Sequence, residues 1–174
     1  PAVDREAMSE PLDDLPDDLR GVIAMTAFEE EADRESPHLP GGLHEALVLV
    51  QALGDAGIGA PLWFLTRGAV AIDSTDPLDH PLQGLLWGFG RVMGLEHPDR
   101  WGGLIDLPEE IDERTAQQLV ATLSADDSED QIALRRGGRY VRRLVRVKPA
   151  PSRPAWTPRG SVLITGGTGA LGAH

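Results

Sequence analysis

The 174-residue chain has no cysteine, which excludes disulfides and cysteine-held metal. Its five histidines, His38, His44, His80, His97 and His174, are scattered without ligand spacing, so no metal site is expected. Asparagine is absent and Lys148 is the only lysine, beside abundant Ala, Gly and Pro. That pattern reads as the coding bias of a GC-rich genome and carries no mechanism. No apolar run approaches the roughly 18 residues of a membrane span. The start, Pro1-Ala-Val-Asp-Arg-Glu6, lacks the basic and apolar regions of a secretion signal. No membrane partner is expected, and the location is read as cytoplasmic.

What is present is acid, unevenly placed. The formal charge is -12, which argues against nucleic acid as a partner. Residues 135–174 hold nine basic residues and no acid, leaving 7 basic against 28 acidic residues in 1–134. Such asymmetry can mark a partner surface. The plainer reading pairs these arginines with acids from loops, since exposed charges contribute little.

The clearest chemical motif lies near the end. An apolar run at 162–164 reads as a buried parallel strand, and it breaks into Thr165-Gly-Gly-Thr-Gly-Ala-Leu-Gly172. Gly167, Gly169 and Gly172 form G-x-G-x-x-G where a strand should turn into a helix. Glycines there allow a tight turn, close approach to a pyrophosphate, and close helix–strand packing. Phosphates would sit on the N–H groups of the new helix. The competing reading is a glycine-rich turn with no ligand. The sequence stops two residues later, so the chain is expected to be the first part of a longer polypeptide. It is also expected to fold poorly alone, because strand 161–165 lacks parallel neighbours.

Before the motif, strands are expected at 21–28, 61–66, 101–107, 131–135 and 139–147. Helices are expected at 43–56, 82–96 and 112–123. In the first helix Leu43, Leu47, Val50 and Leu53 form one stripe. In the second, Gly84, Gly88, Gly90 and Gly94 are expected to let a neighbour approach closely, and His97-Pro98 stops it. Trp63, Trp87 and Trp101 read as core. Gly137-Gly138 signals a hairpin. Repeated βα units imply an α/β fold, a truncated Rossmann-like parallel sheet with flanking helices, ending in the first βα turn of a second Rossmann fold. The first βα turn of 20–147 has Pro40-Gly41-Gly42 but no G-x-G-x-x-G. The divisions are an arm or linker at 1–19, a Rossmann-like domain at 20–147, a proline-rich linker at 148–160, and the start of a nucleotide-binding domain at 161–174.

The wording of the chain resembles the ketoreductase domain of modular polyketide synthases, of the short-chain dehydrogenase/reductase superfamily. The resemblance rests on Leu47-Val-Leu-Val-Gln-Ala-Leu-Gly54, Ala60-Pro-Leu-Trp-Phe-Leu-Thr-Arg-Gly-Ala-Val70, Trp87-Gly-Phe-Gly-Arg-Val92, Leu95-Glu-His-Pro98, Arg100-Trp-Gly-Gly-Leu-Ile-Asp-Leu-Pro108, Glu129-Asp-Gln131, Arg142-Arg-Leu-Val-Arg146 and the glycine motif. It implies that 20–147 is a structural subdomain that binds no cofactor and braces a catalytic subdomain. It implies that the catalytic subdomain binds NADPH through Thr165, Gly166, Gly167, Thr168, Gly169, Leu171 and Gly172. The complete enzyme would reduce the β-ketone of a polyketide held on the phosphopantetheine arm of an acyl carrier protein, among other synthase domains. Its catalytic serine, tyrosine and lysine are expected beyond His174. Tyr140 and Lys148 do not match their motif, so no catalytic residue is assigned and these residues are expected to be inactive alone. Two alternatives stand beside it: a redox-inactive ketoreductase-like scaffold, and a different dinucleotide enzyme such as an epimerase.

Overall fold

Leu62–Arg67 and Trp101–Leu107 are the longest strands, and both are apolar along most of their length. Such runs need cover on both faces, which the middle of a sheet provides. They become β2 and β3 in the computed structural model of the protein, which describes residues 5–12, 15–16, 18–33, 37–125, 127–147 and 157–172. With β1 (Val22–Ala24), β4 (Gln131–Arg135) and β5 (Gly138–Val141) they form one sheet, in sequence order. The first four strands are parallel and β5 returns antiparallel beside β4. Among the described residues the α-helices are α1 (Arg5–Ser9), α2 (Gly41–Asp55), α3 (Gly84–Glu96) and α4 (Glu113–Leu123). The α/β class and the mostly parallel, helix-flanked sheet are as the sequence predicts.

The strands divide the core by their alternation. Leu62 and Phe64 of β2 and Leu104 of β3 face α2 and α3, in one cluster with Ala46, Leu49, Val50, Leu53, Leu86 and Met93. Leu65, Ile105, Ile132 and Leu134 face the other way, under Leu119 and Leu123 of α4. Because strand order follows sequence order, the third crossover cannot share the hand of the first two. Parallel crossovers are nearly all right-handed, so this sheet holds one exception. Met8 and Leu12 pack on the first cluster, and Arg5 pairs with Asp55 of α2.

Several local expectations are corrected. Leu47 is 43% exposed, while Ala46 and Ala52 are fully buried. Small residues let α2 lie close to the sheet, so the line of closest approach runs through alanines. Strand 21–28 shortens to Val22–Ala24, and Thr26–Phe28 turns as a 3₁₀ segment. At the sheet edge β1 has one neighbour and little to hold a longer strand. Strand 139–147 stops at Val141, which pairs with Ile132 near the start of its partner β4 at Gln131. Gly90 and Gly94 do permit close packing: a Cβ on either would stand 2.9 Å from the Trp101 ring. Gly88 does not, since it faces open space.

The predicted helix boundaries hold where local chemistry sets them. Asp112 caps α4, accepting from the Thr115 N–H at 2.8 Å and the Thr115 hydroxyl at 2.9 Å. Those bonds hold its carboxyl below the usual carboxylate range. The N–H of His97 closes α3 on Met93 O at 2.8 Å before Pro98. Trp87 is buried, and Trp63 and Trp101 pack half-buried against the two clusters.

The chain forms two compact units, Pro1–Arg142 and Arg143–His174. Lys148, Pro149, Pro151 and Pro154 of the proline-rich stretch, and His174, lie outside the described residues.

Candidate cofactor loop and the closed edge of the first sheet

The glycine motif is a solvent-open turn. Gly166 has φ of 68°, and the Gly169 N–H donates to Gly166 O at 2.9 Å. The chain then folds back, so that a Cβ on Gly172 would stand 2.5 Å from Gly166 O and from Gly167 Cα. Backbone thus packs directly on backbone where Gly172 meets Gly166 and Gly167, and only glycine is tolerated at 172. Thr165 and Thr168 are exposed beside them, and Leu171 is 92% exposed.

The surrounding expectation is corrected here. Residues 162–164 do not form a buried strand: Val162, Leu163 and Ile164 are 48%, 90% and 64% exposed. No helix opens within 165–172 either. A parallel strand is held by its neighbours' hydrogen bonds and cover, and no other strand exists among the described residues of this unit.

In the first unit the corresponding position lies between β1 and α2, and the chain closes it. At the start of α2 the Gly41 N–H donates to Glu31 O at 2.7 Å, and the Gly42 N–H to Glu29 O at 3.0 Å. The donors that would cradle a phosphate are therefore spent. A Cβ on Gly42 would sit 2.0 Å from Thr26 O, so this glycine serves contact within the chain. The cavity beside this turn, lined by Ala27, Glu30, Pro40 and Leu43 among others, holds about 10 Å³. That is about the space of one water molecule.

Further along the same edge, where α/β sheets commonly bind ligands, an internal ion cluster fills the ends of β2, β3 and β4. Arg135 donates to both oxygens of Asp76 at 3.0 and 2.9 Å, to Asp106 Oδ2 at 2.8 Å and to Val70 O at 2.7 Å. Asp106 Oδ1 accepts from the Thr66 hydroxyl at 2.6 Å and the Ala69 N–H at 2.9 Å. Trp87 Nε1 donates to Thr66 Oγ1 at 3.0 Å. The sequence reading passed over this cluster. Its one signal was Asp106 itself, a charge inside an apolar strand, which needs a partner if buried. Among the described residues no group of three or more His, Asp or Glu is placed to hold a metal.

The first unit is thus a Rossmann-like sheet whose helix N-terminus is closed by its own chain, followed by a glycine-rich turn in a second unit. The chain belongs to the family described as the Rossmann fold domain of the polyketide synthase extender module SpnB, whose profile matches residues 3–144. It is 51% identical over 176 residues to polyketide synthase GfsA of Streptomyces halstedii, covering 98% of this chain and 2% of that one. It is 45% identical over 173 residues to erythronolide synthase EryA3 of Saccharopolyspora erythraea, covering 99% of this chain and 5% of that one. A solved A1-type ketoreductase matches 97% of the chain with TM-score 0.81 and 49% identity. A solved A-type ketoreductase from a modular polyketide synthase matches 85% with the same score and identity. The chain spans 37% and 32% of those two structures and a few per cent of the curated relatives. The resemblance read from the sequence is thus shown: this is a ketoreductase-like part of a modular polyketide synthase.

Proposed function

We propose that residues 20–147 brace the catalytic half of an NADPH-dependent β-ketoacyl reductase, and that 165–172 begin its cofactor site. The observation that carries this reading is the closed edge. A Rossmann-like unit whose helix N–H groups are tied to Glu29 and Glu31 carbonyls has given up nucleotide binding and kept the scaffold. Support for a phosphate at the glycine turn comes from the G-x-G-x-x-G spacing of Gly167, Gly169 and Gly172 and from the exposed hydroxyls of Thr165 and Thr168. Bound there, NADPH supplies hydride to the β-ketone carbon of a substrate carried on the phosphopantetheine of an acyl carrier protein.

Calorimetry tests this on the 174 residues and on a chain extended by about 250 residues, the size of one further large domain. Binding of NADPH is expected only with the extension, and Gly172→Val should weaken it at least tenfold. A steep isotherm from the short chain would overturn the assignment of the first unit. An extended chain that folds without binding would support the redox-inactive scaffold.

The bracing surface we assign is the outward side of α3. Leu85, Val92 and Leu95 are 46%, 49% and 83% exposed there, along one stripe with Gly88. The inward side already buries Leu86, Trp87 and Met93. A helix apolar all round belongs inside a larger structure. Val92→Arg with Leu95→Arg should leave the first unit folded, as seen by circular dichroism. The same pair should destabilise the complete reductase by about 1.5–3 kcal/mol for each side chain buried. Equal thermal midpoints for variant and parent reductase would remove α3 from the interface.

A further inference from the structure

Spacing along the outward side of α3 indicates what kind of element covers it. Leu85, Gly88, Val92 and Leu95 stand three, four and three residues apart. That is the a-d-a-d spacing of a heptad, the seam along which one helix lies against another. Arg91 is exposed on one flank of the seam and Glu96 on the other, where a helix pair carries its charges. A helix that faces a sheet carries a broader apolar stripe, as the inward side of α3 does with Leu86, Trp87, Gly90 and Met93.

Gly88 sits in the middle of the seam, and its presence there needs a reason. A helix interior disfavours glycine against alanine by up to about fivefold in the folding equilibrium. Gly90 and Gly94 have their reason within the chain, since a Cβ on either would stand 2.9 Å from the Trp101 ring. Gly88 has none: outside its own helix, no atom of the described residues lies within 4 Å of where its Cβ would be. The bare backbone there is a hole of the kind that takes a partner's knob.

We propose that a single helix of the catalytic half lies along the Leu85–Leu95 seam and seats a side chain on the backbone of Gly88. This rests on the bracing reading and adds the kind of element and its point of closest approach. The chain spans 37% and 32% of two solved ketoreductases, so most of such a domain lies outside it to supply the helix. Seam packing of this kind crosses the axes at about 20°. The partner helix carries an acid beside Arg91 and a base beside Glu96, as charges flanking a seam pair across it.

Urea unfolding of the complete reductase tests the seat. Gly54→Ala, near the end of α2, is the control, because a Cβ there would only touch the Arg100 guanidinium at 3.5 Å. It should lower the unfolding constant by roughly twofold to fivefold, through helix propensity. Gly88→Ala should instead raise that constant roughly tenfold, within the range of overpacking. Gly88→Leu should raise it further, although leucine is favoured at such a seam position when there is room. A Gly88→Ala variant that behaves as Gly54→Ala, or a Gly88→Leu variant more stable than the parent, overturns the seat. Val92→Arg with Leu95→Arg separates the two readings in that event. If the pair still destabilises the reductase, the bracing surface stands without a close helix; if it does not, both fall. The kind of element is read by a diazirine analogue of leucine, placed at 85 or at 95 alone, which keeps the shape of the seam. These positions lie ten residues apart, about 15 Å along the helix. Their adducts should fall about ten residues apart on one segment of the catalytic half. Adducts about four or five residues apart, the rise of a strand, or adducts on α3 of a second copy, overturn the helix.

Discussion

Arg135→Ala is expected to cost about 3–5 kcal/mol of unfolding free energy, the loss seen when a buried ion pair is left with one partner. Arg135 is only 9% exposed and Asp106 is fully buried. Removing the guanidinium leaves the carboxylates of Asp76 and Asp106 without a cation, and strips a donor from Val70 O. Replacing buried ion pairs by apolar residues is often neutral, but not at this site. Asp106 also receives the Thr66 hydroxyl and the Ala69 N–H, so an apolar residue at 106 would orphan both. Arg135→Lys should fall between parent and alanine variant. It keeps the charge and loses the planar fork that reaches Asp76, Asp106 and Val70 together. Urea unfolding followed by tryptophan fluorescence gives the measurement, with Trp87 reporting through its bond to Thr66. A loss below about 1 kcal/mol, the scale of a surface pair, would mean that the cluster is solvated when the edge breathes.

Phe64→Ala is expected to cost about as much, 3–5 kcal/mol, by lost transfer energy and an unfilled cavity. Phe64 is fully buried at the centre of the sheet. Its ring meets Phe89 of α3 edge-on, at 6.0 Å and 70°, and lies 6.3 Å from Trp101. Those contacts join β2, β3 and α3 at one point, so little can collapse into the hole. Leu47→Ala on the exposed side of α2 is the matched control and should stay within about 0.5 kcal/mol, as surface changes do. Midpoints from the same urea titration decide between them, and equal losses at 64 and 47 would mean that the first cluster is not the stabilising core.

Elements were legible where neighbours in sequence set them. The apolar runs of β2 and β3, the helix at 112–123 and the His97-Pro98 stop each carry their reason within a few residues. The glycine turn at 165–172 was legible for the same reason, as a local spacing. Pro40-Gly41-Gly42 showed the missing phosphate loop, but not that the Glu29 and Glu31 carbonyls take the freed donors. The run at 162–164 shows the limit. Its composition suits a strand, yet a strand exists only beside another, and this unit offers none among its described residues.

By itself, then, the sequence determined the class of fold, the order of its strands and helices, and the place of the glycine loop. These follow from periodicity and turn chemistry, which act over a few residues. Tertiary structure decided which face α4 covers, and so the hand of the third crossover. It also joined Arg135 to Asp76 and Asp106, 59 and 29 residues away, and His80 to Glu30 and Glu109, 50 and 29 away. Such pairs depend on which strand ends become neighbours, and that is set only when the sheet assembles.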